Sequence, residues 1–549
     1  MIGECRGGWD EVIHRNHLFL RGGVKVSHRE GQWLASRRQL TGPFASWWLV
    51  GLWLALVVKL LGIQLGGIVT LGGLLLLSFW LPLFAVRSSR RRWTVRQIGR
   101  LWCQIAVLAV WWLPLGWFSY LPTVQASLKI PAVWQNWLFN TRYEWLPVVI
   151  PLWLFCWLVS WKWLAGVAQL MAVPTGWRDF WHAGRQKHWW SVFKASFAKL
   201  LAIIGWLGLA VSGTGLVWLG GITPLGNIGN QLVSRVLAII VLAMGQAWWW
   251  HVLMGWWSIH WPDSKIPVRP KWQGRLLMLI GGLSLLGYAG WWLGTPPETT
   301  PAVIAHRGVN GHDGVQNTTA ALRKTVKQTH PDMVEMDIQP TADLHWVVMH
   351  DPTLKALAGQ AGTVRDYPVN DLSGLPLREH GQTGRLSTFK QYFAIAQQLH
   401  QPLLVEIKAV GPADQLMGPF ADRYAQMLVR HQGAVHSLDY RVIERLHQRN
   451  TKLSVGFITP FYLTDFADSV ANFYSLQALT ATREQISAAH RHQQPVYFWT
   501  VDRSFDMQRL AAMGADGIIT NRPGQLRRVQ TDSSHYYFYQ LINWFLEWL

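Results

Sequence analysis

The chain divides into a half with long apolar stretches and a half with short ones. Seven stretches of mostly apolar residues lie before residue 295, at 45–63, 65–86, 101–121, 145–165, 198–221, 236–258 and 276–294. A helix needs about 20 such residues to cross the hydrocarbon core of a bilayer. The pattern therefore predicts an α-helical membrane bundle of about seven spans. The first two stretches adjoin at 62–67, where they form either a tight hairpin or one long broken helix.

After a short Pro-rich linker, the apolar runs become short and rich in β-branched residues. Nine runs predict strands at 302–305, 333–338, 346–349, 403–407, 434–438, 453–458, 473–476, 496–501 and 517–520. Helical patterns lie at 317–329, 387–400, 412–431, 440–449, 482–493 and 504–513. This alternation predicts an α/β TIM-type barrel. Nine strands are one too many for eight positions, and the second and third runs are too close for a crossover helix. We therefore expect an irregularity there.

The basic excess of the chain lies in its apolar half. Residues 1–299 hold 27 Lys+Arg and 8 Asp+Glu, whereas residues 300–549 hold 23 and 22. The basic residues concentrate on alternate connections, at 1–43, 87–100, 162–199 and 259–275. Short basic connections stay in the cytoplasm, so the sequence predicts a cytoplasmic N-terminus and an extracellular C-terminal half. A tight hairpin at 62–67 is therefore preferred over one long broken helix. With one span fewer, the two basic segments 1–43 and 87–100 would lie on opposite faces of the membrane.

This division gives four predicted segments. They are a cytoplasmic segment at 1–43, a membrane domain at 44–295, a barrel at 296–530 and an aromatic tail at 531–549. The tail is too short to span a bilayer, so it either lies on the membrane as an interfacial helix or packs against the barrel. The near-neutral barrel half argues against a nucleic-acid partner, because duplex binding requires a basic surface.

Tryptophan and one lysine are the notable side chains of the membrane half. Of the 37 Trp, 33 lie in residues 1–299, many near predicted span ends. They indicate an interfacial aromatic belt, with a platform for lipid headgroups as the alternative. Lys59 is predicted well inside a span. An ionisable residue there is a functional hypothesis, and snorkelling towards the interface is the alternative.

Residues with acid–base and ligand chemistry follow the predicted strands. They are His306 and Arg307, Glu335 and Asp337, His350, Glu406 and Lys408, and Trp499. Catalytic groups of such barrels lie at the C-terminal ends of the strands. Three carboxylates there suit a hard divalent cation, Ca²⁺ or Mg²⁺. Two histidines can act as acid and base, and Arg and Lys can hold a phosphate. Together these groups predict phosphodiester cleavage.

Seven motifs carry a family resemblance. They are Ala-His-Arg-Gly at 305–308, Gln-Asn-Thr at 316–318, Val-Glu-Met-Asp at 334–337, Val-Val-Met-His-Asp at 347–351, Val-Glu-Ile-Lys at 405–408, Trp-Thr-Val-Asp at 499–502 and Gly-Ala-Asp-Gly-Ile-Ile-Thr-Asn at 514–521. In this order they resemble the glycerophosphodiester phosphodiesterase family over about 302–526. The membrane half and linker are similar to that family's membrane-anchored bacterial branch.

The resemblance implies hydrolysis of glycerophosphodiesters to sn-glycerol 3-phosphate and an alcohol. By the same resemblance, His306 and His350 are the acid–base pair, and the metal ligands are Glu335, Asp337 and Glu406. Arg307 and Lys408 contact the phosphate, and Trp499 lines the glycerol side. The family is expected to use the glycerol 2-hydroxyl as nucleophile, through a cyclic phosphate that water then opens.

The sequence departs from the family pattern at three places. Gln316 and Asn521 each stand where the family has an acid, and Ala342-Asp343-Leu344 replaces a Lys-Asp-Gly turn. The first two departures are expected to alter substrate preference. Residues 352–386 form an insertion that is either a specificity lid or a plain surface excursion.

Other functions compete with this one. A transport or lipid-handling membrane protein with a regulatory barrel is the rival from another class. The intact catalytic set and the few charges in the spans argue against it. Within the enzyme hypothesis, the substrates are small deacylated phospholipids, lysophospholipids or glycerol-phosphate wall polymers, and the lipid bilayer is the expected partner.

Overall fold

A computed structural model gives the arrangement of most of the chain. It describes residues 18–19, 25–26, 43–65, 94–112, 130–170, 189–258, 271–294, 300–408, 413–460, 466–530 and 534–548, with isolated residues between these ranges. The predicted linker, the N-terminal segment and the second span fall largely outside the described residues. Residues Leu18–Phe19 and Lys25–Val26 form a short antiparallel pair.

Long apolar helices make up the described part of the N-terminal half. Their bounds are α1 (Pro43–Leu65), α2 (Val95–Trp112), α3 (Ala132–Asn140), α4 (Arg142–Leu170), α5 (Trp189–Gly220), α6 (Gly226–Ser258) and α7 (Lys271–Leu293). Each predicted span other than 65–86 coincides at least in part with one of these helices. In the described residues, Gly226–Trp248 and Arg275–Leu293 are long and apolar enough to cross a membrane, and Leu49–Gly62 and Ile204–Gly220 are shorter apolar stretches. The seven-span bundle therefore stays a prediction.

The C-terminal half contains an eight-stranded parallel barrel. Its strands are β1 (Ala302–Ala305), β2 (Met333–Pro340), β6 (Leu403–Ile407), β7 (Ala434–Ser437), β8 (Ser454–Thr459), β9 (Phe473–Gln477), β10 (Val496–Trp499) and β11 (Gly517–Thr520). Neighbours in this order pair in parallel, and β11 pairs with β1 to close the barrel. The predicted TIM-type barrel is thus confirmed.

The ninth predicted strand is outside the barrel ring. Strand β3 (Trp346–Val348) pairs antiparallel with β2, with Ile338 opposite Val348. A hairpin partner needs only a short turn, whereas a parallel neighbour needs a crossover. The six residues between the two runs therefore force the antiparallel pairing, which is the irregularity that the spacing predicts.

Helices cover the outer face of the barrel. They are α8 (Thr319–Thr329), α9 (Phe389–Gln398), α10 (Ala413–Phe420), α11 (Tyr440–Arg449), α12 (Arg483–Arg491), α13 (Ser504–Met513) and α14 (Pro523–Val529). Side-chain caps set several of their starts. Thr388 and Thr482 each form a capping box with a glutamine three residues later, which satisfies amide groups that the first turn leaves free.

The insertion at 352–386 has its own small core. Two short helices, Lys355–Ala358 and Val369–Leu372, precede a hairpin of β4 (Pro376–Glu379) and β5 (Gln382–Arg385). Their buried apolar side chains form a cluster separate from the main barrel core, with Leu354, Leu357, Val364, Leu372 and Leu377. The insertion is therefore a packed subdomain beside the third strand.

Contacts join the N-terminal helices to the barrel. Lys59 of α1 lies 3.6 Å from the carboxylate of Glu484 on α12, and both side chains are 5% exposed. Arg483, the residue before Glu484, donates to the carbonyl oxygen of Trp292 at the end of α7. Near the start of α3, Gln135 donates to Thr459 at 2.9 Å. Lys59 is therefore paired with a carboxylate of the barrel half. Neither of the two interpretations of Lys59 from the sequence included such a pair.

The C-terminal aromatic segment forms helix α15 (Tyr536–Trp548). Its Asn543 donates to the backbone of Arg509 on α13. On another side, Trp544 and Phe545 belong to a buried cluster with Trp206 of α5 and Leu242 of α6. The helix thus packs between the barrel and the long apolar helices.

We predict that breaking the Lys59–Glu484 pair destabilises the chain. Glu484→Leu removes one carboxylate from beside a buried ammonium, and breaking a buried ion pair in this way typically costs about 3–5 kcal/mol. Replacing both residues, in Lys59→Met with Glu484→Leu, is expected to restore most of the stability, because no buried charge then remains. Thermal unfolding of the full chain in detergent measures the effect.

An exposed pair provides the control for this comparison. Arg449 and Asp422 form an ion pair whose side chains are 58% and 57% exposed, so Arg449→Gln is expected to leave the unfolding temperature almost unchanged. If Glu484→Leu unfolded at the temperature of the unmodified chain, the buried pair would not hold α1 to the barrel.

Candidate active site

The turn after β1 presents His306 and Arg307 to the barrel mouth. Gly308 follows with φ +66°, and a Cβ atom there would lie 2.7 Å from the Tyr392 hydroxyl. The positive φ and the lack of space for a Cβ atom therefore both require glycine at this position. Arg307 also has a positive φ of 50°, and its backbone N–H donates to the Glu335 carboxylate at 2.8 Å. The turn is thereby tied to the next strand.

Three carboxylates meet at this mouth, as the sequence predicts. Glu335 and Asp337 lie on β2 and are almost completely buried, and Asp337 stands in register with Glu406 of β6. Burial and the charges of Asp337 and Glu406 raise the pKa of Glu335 well above its ordinary value. Burial raises the pKa of Glu406 to about 7, against the opposing charge of Lys408. Such crowding of negative groups favours a bound cation.

Asp337 is engaged by the two predicted phosphate-binding residues. Lys408 Nζ lies 2.9 Å from Asp337 Oδ1, and Arg307 Nε lies 3.6 Å from Oδ2. Asn317 also donates to Oδ2, at 2.8 Å. Although burial opposes it, the charges of Lys408 and Arg307 hold the pKa of Asp337 below its ordinary value. In this arrangement Asp337 positions the two cations.

His306 is held by an amide partner. Its Nδ1 lies 2.7 Å from Asn521 Oδ1, and the Asn521 amide nitrogen donates to Asp502 at 2.7 Å. Because Asp502 fixes the orientation of the amide, an oxygen faces the ring, and Nδ1 must carry the proton. Nε2 is then left with a lone pair in the mouth. Burial, with the charge of Arg307, lowers the pKa of His306 to about 4.

His350 is held by a carboxylate partner. It follows β3, and its Nδ1 lies 2.7 Å from Asp351 Oδ1. Burial lowers the pKa of His350, while the hydrogen bond to Asp351 acts in the opposite direction. The two histidines therefore differ in their partners, one amide and one carboxylate. Both reach the same mouth, as the strand-end rule predicts.

The mouth encloses a cavity of about 140 Å³. Its lining includes the predicted residues His306, Arg307, Glu335, His350, Glu406, Lys408 and Trp499. Trp499 is anchored by a hydrogen bond from its indole nitrogen to the Ser475 carbonyl, at 2.9 Å. The structure therefore brings these seven predicted side chains around one cavity, with Asp337 directly behind Lys408 and Arg307.

His436 is not among the site residues that the sequence predicts, but the structure has it in the cavity lining. It is 2% exposed, and burial lowers its pKa to about 3. Ligand atoms of Glu335, Glu406 and His436 lie within 4.8 Å of one another. His436 lies near the C-terminal end of β7, in register with Glu406. Its position near a strand end is the signal that could have identified it.

This constellation fits a divalent cation. Among the described residues, Glu335, Glu406 and His436 offer two carboxylates and an imidazole to a common point. The Nε2 atom of His436 is buried without a hydrogen-bond partner there, and the carboxylates are crowded. A cation would satisfy both features, since it accepts the lone pair and neutralises the charge.

Comparison with known proteins assigns this half of the chain to a family. Residues 306–525 match the glycerophosphoryl diester phosphodiesterase family. The match covers the barrel. Residues 306–525 include all eight predicted site residues, and the chain therefore carries an enzyme domain.

Curated relatives align with the barrel half of this chain. The glycerophosphodiester phosphodiesterase of Caldanaerobacter subterraneus subsp. tengcongensis is 26% identical over 241 residues, which are 41% of this chain and 95% of the relative. That of Bacillus subtilis is 22% identical over 254 residues, covering 41% and 85%.

Solved structures were compared in the same way. A glycerophosphodiester phosphodiesterase from Parabacteroides distasonis has a TM-score of 0.38 and 21% identity, covering 43% of this chain and 98% of that one. A phosphodiesterase from Oleispira antarctica, solved in complex with sn-glycerol-3-phosphate, has a TM-score of 0.38 and 18% identity, covering 42% and 98%.

Both acid-to-amide departures from the family pattern lie at the barrel mouth. Asn521 is the partner of His306. Gln316 accepts from the Arg307 guanidinium, and its own amide donates to Glu379 of the insertion at 2.7 Å. The insertion thus reaches Arg307, which is predicted to bind phosphate, through one intermediate residue. This contact favours the specificity-lid interpretation over a plain surface excursion.

Proposed function

We propose that the chain is a membrane-anchored, metal-dependent phosphodiesterase that hydrolyses glycerophosphodiesters to sn-glycerol 3-phosphate and an alcohol. The observation that carries the proposal is the convergence of two histidines, two cationic side chains and buried carboxylates on one cavity. Each group matches one requirement of phosphodiester cleavage, namely proton transfer, phosphate binding and cation binding. The family match of residues 306–525 supports the same conclusion.

We assign a different role to each histidine on the basis of its hydrogen-bond partner. His306, with its amide partner, is neutral at rest, so its Nε2 accepts the proton of the attacking glycerol 2-hydroxyl. His350, whose Nδ1 is held by Asp351, donates a proton from Nε2 to the departing alkoxide. When water opens the cyclic phosphate, the two roles are exchanged, and both histidines return to their starting states.

The cationic side chains bind the phosphate in this scheme. Arg307 offers a planar fork and Lys408 a point charge, and Asp337 holds both in place from behind. The predicted ligands Glu335 and Glu406 would hold the divalent cation, which supplies charge neutralisation at the phosphoryl oxygens. Trp499 lines the side of the cavity where the glycerol group is expected.

The function is tested with a substrate panel on the full chain in detergent, with and without a chelator. Glycerophosphocholine, a lysophospholipid and a glycerol-phosphate polymer represent the three substrate classes. We expect release of glycerol 3-phosphate from at least one, lost on chelation and restored by a divalent cation. Absence of turnover on all three, while the protein remains folded, would favour the regulatory-barrel alternative.

We further propose that the barrel lies outside the cell, at the outer face of the membrane. Residues in or beside four connections that are predicted to be extracellular contact the barrel half. Lys59 lies near the outer end of the first span, Gln135 in the connection before the fourth, and Trp292 at the end of the seventh. Trp218, before the connection to the sixth, stacks on His535. All four contacts lie on the same side of the apolar helices, the side that faces the barrel. This supports the topology that was predicted from the distribution of charge.

Protease accessibility tests this location. A protease added to intact cells is expected to cleave within residues 300–549, and a tag at the N-terminus is expected to stay protected until lysis. The N-terminal tag serves as the control for cell integrity. Protection of the barrel in intact cells, with cleavage only after lysis, would contradict the topology.

A further inference from the structure

We propose that His436 is a ligand of the divalent cation, through Nε2, together with Glu335 and Glu406. The inference deepens the proposed function, because it concerns the same cation. It also changes the expected ligand set, since the sequence predicts only carboxylates at this position.

The first observation is the geometry of the three side chains. One ligand atom from each of Glu335, Glu406 and His436 lies within 4.8 Å of the others. Two ligand atoms on one ion at about 2.1 Å each can be at most about 4.2 Å apart, so small side-chain movements complete the set. Glu406 and His436 are register partners on adjacent strands, which holds their backbones at a fixed separation.

The second observation is an unsatisfied buried atom. His436 Nε2 is shielded from solvent and has no hydrogen-bond partner among the residues that the structure describes. Buried polar atoms in native proteins are paired in the great majority of cases. A missing partner therefore indicates a ligand that belongs at this place, and the carboxylates facing it indicate a cation.

The third observation is the support of the ring from behind. Nδ1 of His436 lies 3.0 Å from the hydroxyl of Ser475, which can accept the Nδ1 proton and leave the lone pair on Nε2. Metal-binding histidines usually have such a partner on the second nitrogen, since it fixes the tautomer and the ring orientation. The ring is also packed near Phe473, with 6.3 Å between centroids.

Asp337 lies beside this group with contacts of its own. Lys408 Nζ lies 2.9 Å from its Oδ1, and Asn317 donates to its Oδ2. His436 adds an imidazole to the predicted carboxylate ligands. An imidazole beside two carboxylates favours a first-row transition ion over Ca²⁺, which prefers oxygen ligands.

Pulsed electron paramagnetic resonance of the Mn²⁺-loaded full chain in detergent tests the assignment without relying on activity. We expect nitrogen coupling to Mn²⁺ in the unmodified chain and its loss in His436→Asn. The asparagine keeps an amide near the position of Nδ1 but has no group at Nε2. Mn²⁺ affinity, measured by titration, should fall at least tenfold. His447→Asn, in the last turn of α11, is the control and should keep both the coupling and the affinity.

The outcomes separate this inference from the function on which it rests. Nitrogen coupling that persists in His436→Asn would assign the signal to another residue, such as His306, and overturn the proposal. Mn²⁺ binding without nitrogen coupling in the unmodified chain would also overturn it, while metal dependence would stand. Absence of any Mn²⁺ binding, together with chelator-resistant turnover, would contradict the metal dependence itself and the ligand assignment with it.

Discussion

Replacing His350 by alanine is expected to lower the kcat for release of glycerol 3-phosphate by about a thousandfold. A positioned acid or base contributes roughly 10²–10⁴-fold to such reactions. In the proposed mechanism, the alanine variant loses the proton donor of the first step and the base of the second. The rate of glycerol 3-phosphate release from glycerophosphocholine measures the effect, on protein whose unfolding temperature shows that the fold is kept.

His345 provides a matched control for this variant. It lies five residues earlier, precedes the same strand, and pairs with Asp343 with half of its side chain exposed. His345→Ala is expected to leave kcat close to that of the unmodified enzyme. A His350→Ala variant that retained more than a tenth of the original kcat would remove His350 from the acid–base pair.

The second large effect is expected at Glu335. Glu335→Gln keeps the size of the side chain and removes one of the negative charges around the cation position. It also weakens the acceptor for the Arg307 backbone N–H, which now lies 2.8 Å from the carboxylate. We expect kcat to fall by about a thousandfold or more, since a divalent cation held by Glu335 would stabilise the transition-state charge by several kcal/mol.

Two measurements distinguish loss of the cation from loss of fold. Titration with Mn²⁺ and with Mg²⁺ should show weaker binding to Glu335→Gln than to the unmodified chain, and excess metal should recover part of the activity. Glu444→Gln on α11 serves as the control, since Glu444 lies outside the cavity lining. Unchanged metal affinity in Glu335→Gln would exclude Glu335 as a ligand.

The barrel and much of its site were predictable from the sequence because their signals are local. All nine β-rich runs are strands in the structure, and the strand-end rule selects His306, Glu335, His350 and Glu406. The same rule applied to every strand end would also have selected His436. It was passed over because a lone histidine in an apolar run has no sequence neighbour that indicates a ligand.

Other features depend on residues that are distant in the chain. The pairing of Lys59 with Glu484 joins residues that are 425 positions apart, and the sequence contains nothing that relates them. The contact of Gln316 with Glu379 is of the same kind, because it requires the insertion to fold back on the mouth. Such contacts arise from the closure of the barrel and the docking of helices on it.

Sequence patterns alone were enough to predict the division into an apolar basic half and a near-neutral α/β half, the parallel barrel, and the eight side chains expected to act. Periodicity and strand-end position are properties of short segments, so a linear pattern can report them. Three features became visible only in the folded chain: which strand lies outside the barrel ring, which residue hydrogen-bonds to each histidine, and which groups surround the proposed cation position. Those are matters of distance between separate segments, and packing alone sets such distances.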